Sequence, residues 1–356
     1  MNALATARVR LCAAAAVLPL LLLTGAAPAG ARPTAAPTAP QVVVGPSSAD
    51  GQVSKATCPS GTRVAGGGHF SNTFHYANGG DIYDAVRANA PTRAGDGWTV
   101  QQLKGKAQAV ALCVPADEAP SVAVSDPSAD GQAVKATCPS GTRVAGGGFF
   151  SNVFHYANGG TIYDYVRSSS PSRAGDAWLA QQVKGKVQAV ALCVPAEEAP
   201  SVVVSDPSGD AQAAKATCPS GRRVVGGGHF SNTFHYANGG TMYDAVLANS
   251  PSRAGDAWLA QQMKGKVQAV ALCVPAEEAP SVVVSDPSGD AQAAKATCPS
   301  GSRVVGGGHF SNTFHRANGG NIYDYVRTSS PSGSGDGWVA QQVKGKVQAI
   351  ALCGAS

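Results

Sequence analysis

Between Ser121 and Val194 the chain alternates short apolar runs with turn residues. The runs read SVAVSD, AVKATCPS, TRVAGGGFFS, TIYDYVRS, DAWLAQQVKG and KVQAVALCV, and Pro-Ser-Gly, Asn-Gly-Gly and Ser-Arg-Ala-Gly-Asp separate them. Runs of this length with such punctuation predict six β-strands. AWLAQQVKG would also fit a helical turn, but Gly185 follows it directly and its alternation suits a strand. The last run, Val187 to Val194, is apolar almost throughout except at Gln188, which predicts a central strand covered on both faces.

The same text recurs with a period of 80 residues, easiest to see in Cys58, Cys138, Cys218 and Cys298, in Cys113, Cys193, Cys273 and Cys353, and in Trp98, Trp178, Trp258 and Trp338. This divides the chain into repeats 42–121, 122–201, 202–281 and 282–356. Ahead of them, a basic start followed by LCAAAAVLPLLLL and small residues predicts a signal peptide over 1–31, then a Pro/Ala/Thr tether over 32–41. No other stretch is apolar for the roughly 20 residues that a membrane helix needs, so a secreted, extracellular protein without a transmembrane segment is expected.

Export gives the cysteines their meaning. Each repeat holds two, no C-x-x-C pair suggests zinc, and an oxidising compartment favours one disulfide per repeat: Cys58 with Cys113, Cys138 with Cys193, Cys218 with Cys273 and Cys298 with Cys353. In the chain-entropy account such a loop is worth about 4 kcal/mol. The expected fold is therefore all-β, four tandem small β-sandwich or barrel-like domains with one disulfide each. No terminal repeat looks like a solenoid cap, and the proline-bearing linkers CVPADEAPSV and CVPAEEAPSV favour beads on a stiff string. A four-bladed propeller is the alternative.

Charge changes the picture little. The net charge is +5, but acids and bases cancel in the first three repeats, and the excess sits in the leader and in the fourth repeat, which lacks the Glu-Glu linker. No basic stripe with interleaved aromatics argues for nucleic acid.

CPSGTRVAGGG, a GDGW or GDAW strand start and a closing AVALCV resemble the C-P-x-G-x-x-V-x-G-G-G…G-W…A-x-C units of secreted actinobacterial and phage-associated proteins. That resemblance implies an exported, disulfide-bonded β domain, often repeated, and no particular chemistry. The departure from the pattern is the segment HFSNTFHYANGG. Its near-palindrome HF-SNT-FH predicts a hairpin turning at Ser71-Asn72-Thr73, with Phe70 across from Phe74 and His69 across from His75. The triple glycine before it is expected either at positive φ or packed against another backbone, as a bulge into that hairpin.

Candidate ligand-binding residues are therefore His69, His75, Tyr76 and Asn78, with His155 and Tyr156, His229, His235 and Tyr236, and His309, His315 and Arg316 in the later repeats. Paired histidines with Asp81 or Asp84 could touch a metal, but two histidines without committed further ligands make a poor site, and no metal or cofactor is expected. Phe149 replaces the first histidine in repeat two. A Ser71/His75/Asp84 triad or an Asp84/Asp96 pair has no placed nucleophile or pocket behind it, so catalysis is not expected. The series Tyr83, Tyr163, Tyr243 and Tyr323 reads as strand packing. The leading expectation is a non-catalytic, multivalent binding or adhesive module with an extracellular glycan or protein as partner. The alternatives are a structural spacer and, further back, a hydrolase or metal-binding protein.

Overall fold

The structure is a computed structural model and describes residues 39–75, 84–155, 164–235, 244–315 and 324–356. The proposed leader and most of the tether lie outside these residues. Each repeat contributes six strands. Repeat one contains β1 (Gln41–Val44), β2 (Val53–Thr57), β3 (Thr62–Thr73), β4 (Val86–Pro91), β5 (Gly97–Gln102) and β6 (Lys106–Pro115). Repeat two contains β7 (Ser121–Val124), β8 (Ala133–Thr137), β9 (Thr142–Val153), β10 (Val166–Pro171), β11 (Ala177–Gln182) and β12 (Lys186–Pro195). Repeat three contains β13 (Ser201–Val204), β14 (Ala213–Thr217), β15 (Arg222–Ser231), β16 (Val246–Pro251), β17 (Ala257–Gln262) and β18 (Val267–Pro275). Repeat four contains β19 (Ser281–Val284), β20 (Ala293–Thr297), β21 (Ser302–Thr313), β22 (Val326–Pro331), β23 (Gly337–Gln342) and β24 (Lys346–Ala355). Five of the six predicted strands are present, AWLAQQ included; the fourth, TIYDYVRS, begins outside the described residues and is observed from Val166 to Pro171, and among the described residues there is no helix.

Within a repeat the strands form two three-stranded layers, β1-β6-β3 and β2-β5-β4, packed on each other as a small sandwich. The apolar run is central, as expected: β12 lies between β7 and β9 and is buried along most of its length. Each disulfide joins the end of one layer to the middle of the other, at Cα separations of 5.6–5.8 Å.

The layers do not stop at the repeat boundary. The β2-β5-β4 layer continues through β9-β12-β7 of repeat two, and the same step joins repeats two to three and three to four. The remaining sheet, β1-β6-β3-β22-β23-β20, joins repeat four back to repeat one. Four six-stranded sheets thus close a propeller-like ring, and residues 37–356 form one compact unit. Independent beads are replaced by the closed alternative, for a reason found in the core. Repeat one's buried cluster is built from small residues around Trp98, Val64 and the disulfide, and Leu192 of repeat two completes it. Likewise Leu272 enters the core of repeat two, Leu352 that of repeat three, and Leu112 that of repeat four. A sandwich filled largely with alanine is too shallow to bury enough apolar surface alone, so it borrows a leucine.

The isolated fragment 122–199 is therefore expected to stay unfolded although it carries its own disulfide, because Leu272 and both neighbouring strands are missing. A dispersed amide NMR spectrum from that fragment would contradict this. In the intact chain, Leu192→Ala should cost about 2–4 kcal/mol in urea unfolding, with faster hydrogen exchange appearing in β2 and β5 of repeat one rather than only in β12.

Candidate functional site

The glycine run at 66–68 sits inside β3, where a bulge separates Val64 from Gly66 in the pairing with β6. A side chain at Gly67 would collide with the Trp98 ring and the Val110 carbonyl, and one at Gly68 with Ser329 and Ser330 of repeat four. These glycines are thus needed for close approach, one to seat the tryptophan and one to let the next repeat in. The expectation of backbone packing holds, but not the hairpin. β3 runs unbroken to Thr73, because Ser71 is buried and Asn72 donates to Gln108 on β6 at 2.8 Å instead of turning. His69 therefore lies opposite Ala109 on β6, and His75 follows the end of the strand instead of facing it.

Across each inter-repeat seam the strands register over only one or two residue pairs: His69 with Ser329, Phe149 with Asn89, His229 with Ser169, and His309 with Asn249. The four aromatic rings consequently line one cavity of ≈ 260 Å³, shared with the four tryptophans and the four glycine runs. No charged side chain lines it. Burial pushes the pKa of His69 and His229 down to about 4 and that of His309 to about 3, the last also feeling the other two. The Val326 main chain beside His69 and the Asn249 amide beside His229 act in the opposite sense and are outweighed. Neither forms a hydrogen bond of normal geometry, and all six ring nitrogens are buried without a partner. Among the described residues no group of three or more potential ligands could hold a metal ion.

Alternate seams differ in construction. Tyr165 and Tyr325 directly follow Asp164 and Asp324 in repeats two and four, where repeats one and three have Ala85 and Ala245 after Asp84 and Asp244. Tyr325 stacks on Phe74 of repeat one at 5.3 Å, Tyr165 on Phe234 of repeat three at 5.7 Å, and the two tyrosines meet edge-on at 5.8 Å. Burial raises both phenol pKa values, that of Tyr165 to about 12. The same two seams carry hydroxyl bonds, Ser71 N–H to Thr328 Oγ1 at 3.2 Å and Ser231 N–H to Ser168 Oγ at 3.0 Å, where the other seams have Ala88 and Ala248. Tryptophan partners alternate as well: Trp98 and Trp258 donate to Asn89 and Asn249, Trp178 and Trp338 to Ser169 and Ser329. The Ala/Tyr and Asn/Ser alternations were visible in the chain and were the signal of paired seams, but they hid behind the near-identity of the repeats.

Asp84 is buried and anchors the ends of the β3–β4 connection. It accepts hydrogen bonds from the main-chain N–H groups of His75, Ala85 and Lys104 and from the Gln102 amide. Burial raises its pKa against the pull of those donors, and the same holds for Asp244. His75 thus meets Asp84 through its main chain, and the Ser71 hydroxyl donates to the Thr73 carbonyl, so the imagined triad is not assembled. Asp96 lies elsewhere, in an exposed pair with Lys55. His155, His235 and His315 repeat the His75 position, each main-chain N–H bonded to the corresponding aspartate. Tyr76, Asn78, Tyr156, Tyr236, Arg316, Asp81 and the Tyr83 series fall outside the described residues.

No protein-family model and no curated protein matches this chain. Among the described residues no helix is long and apolar enough to cross a membrane.

The seam between repeats four and one has no peptide linker, so its aromatic stack should matter more than the equivalent one. Tyr325→Ala is expected to cost about 2 kcal/mol and to speed hydrogen exchange in β3 and β22. Tyr165→Ala, whose seam is also held by the linker between repeats two and three, should cost less. Equal costs in thermal melts of the two variants would contradict this.

Proposed function

We propose that this is an exported, non-catalytic binding protein that presents four copies of one recognition surface from a single ring, to an extracellular glycan or protein. The observation that carries the reading is the run of ring contacts Phe74–Tyr325–Tyr165–Phe234, which gathers ends of the β3–β4 connections from all four repeats around one point. Three of those connections read HYANGG and the fourth HRANGG. With the ends of the connections gathered together, a second contact would form at high effective concentration. Four disulfides suit an oxidising compartment, and the basic-then-apolar start suits export. The likeness to secreted C-P-x-G…G-G-G…G-W…A-x-C units points the same way. A spacer is less well supported, because a closed ring has a fixed size and gains no reach from its repeats.

The test is the mature chain on glycan and protein arrays, compared with variants carrying Asn→Ala at one, two or all four of Asn78, Asn158, Asn238 and Asn318. Binding should fall more steeply than in proportion to the number of altered copies. A ligand bound equally well by the fourfold variant would show that recognition lies elsewhere.

A further inference from the structure

We propose that the ring is closed at neutral pH and opens in mild acid, with the buried histidines at three of its four seams as the trigger. Sparse pairing is common to all four seams, and three of them place a buried histidine at it. β3 is held to β6 of its own repeat over ten registered pairs but to β22 of repeat four at a single pair, His69 with Ser329. The seams at His229 and His309 register over two pairs each. Each histidine therefore sits where sheet continuity is weakest.

No anion lies nearby to pair with a proton, and the Val326 main chain beside His69 and the Asn249 amide beside His229 offset burial only in part. Opposite each histidine its own repeat offers an alanine, Ala109, Ala269 or Ala349. The neighbouring repeat offers Ser329, Ser169 or Asn249. Among the cavity's lining residues the titratable groups are the other two histidines, Tyr165 and Tyr325, and none is a carboxylate. On the strands that face the histidines, β22 carries Arg327, β10 carries Arg167 and β16 carries no charged residue, so none supplies an anion. Arg87, on β4, belongs to the Phe149 seam and bonds across it to the Ser151 carbonyl. An imidazolium formed here would be desolvated and without a carboxylate partner, and His309 would in addition feel the other two. Nor does packing require the ring nitrogens, since Phe149 fills the equivalent place in repeat two.

The sign follows from linkage. A histidine whose folded pKa lies below 6.5 binds its proton more readily when released. Each of the three thus begins to cost stability as the pH falls below about 6.5, and the cost is complete near pH 4 for His69 and His229 and near pH 3 for His309. The aspartates do not mimic this. Asp84 and Asp244, with raised pKa, gain stability as the pH falls. Asp96, Asp176, Asp256 and Asp336, held low by hydroxyl or lysine partners, lose theirs only as the pH falls below their ordinary value of 3.8.

The experiment is hydrogen exchange on the full mature chain between pH 7.5 and 4.5, corrected for intrinsic rates. Protection at seam amides of β3, β15 and β21 should fall at least tenfold while the amides pairing β3 with β6 stay protected. The combined variant His69→Phe, His229→Phe and His309→Phe should move the midpoint down by a pH unit or more. Should that variant not fold, His309→Phe alone should move it in the same direction. Histidine-ring NMR of the parent adds an independent reading, in which three of the seven histidines stay neutral until the ring opens. A parent closed down to pH 4, loss of β3–β6 protection together with that of the seams although repeat one keeps Leu192 across the Phe149 seam, an unmoved midpoint, or seven ordinary titrations would each overturn the proposal.

Discussion

Leu112, Leu192, Leu272 and Leu352 each complete the core of the repeat before their own, and the rest of the ring depends on that displaced packing. The sandwich of one repeat is thin because its inward positions are mostly alanine, around one tryptophan and one disulfide. A leucine from outside is what makes the space close-packed. Once each repeat lends its leucine backward, the last must receive one from the first, and Leu112 in the core of repeat four closes the circle. Sheet pairing follows the same route: one edge strand of each repeat, β4 in repeat one, is covered by the neighbour whose leucine is already docked.

Covalent and non-covalent links divide the work. Every disulfide lies within a repeat and ties two different six-stranded sheets together, whereas every sheet lies across two repeats. Sheets and disulfides therefore alternate around the ring. The hydrogen-bonded seams are the compliant element, and the seam without a peptide linker is one of the two reinforced by a tyrosine stack and a hydroxyl bond.

Local features were legible in the chain because local physics decides them. Strand lengths, the buried central run and the cysteine pairing follow from alternation, turn residues and compartment. Ring closure entered only as the alternative reading, since Leu112 looks like an ordinary strand residue and nothing in its own repeat says that it points into another. The supposed hairpin misled for a related reason. Ser71, Asn72 and Thr73 have turn composition, but a partner strand supplies Gln108 for Asn72, and the burial of Ser71 keeps the segment extended. The histidines thus came to lie at the seams, a placement that pairwise symmetry along one repeat could not reveal.

The alternation of seams also sets a rule of inheritance. Near-identical tandem copies are prone to unequal recombination, which adds or removes whole units. Removing repeat two or four would leave a single central tyrosine without its counterpart, and inserting one repeat would place two seams of the same kind side by side. Only exchanges of two repeats preserve the order Ala85, Tyr165, Ala245, Tyr325. The heritable module is thus a pair of repeats, and descendants of this gene should differ from it by even steps in copy number.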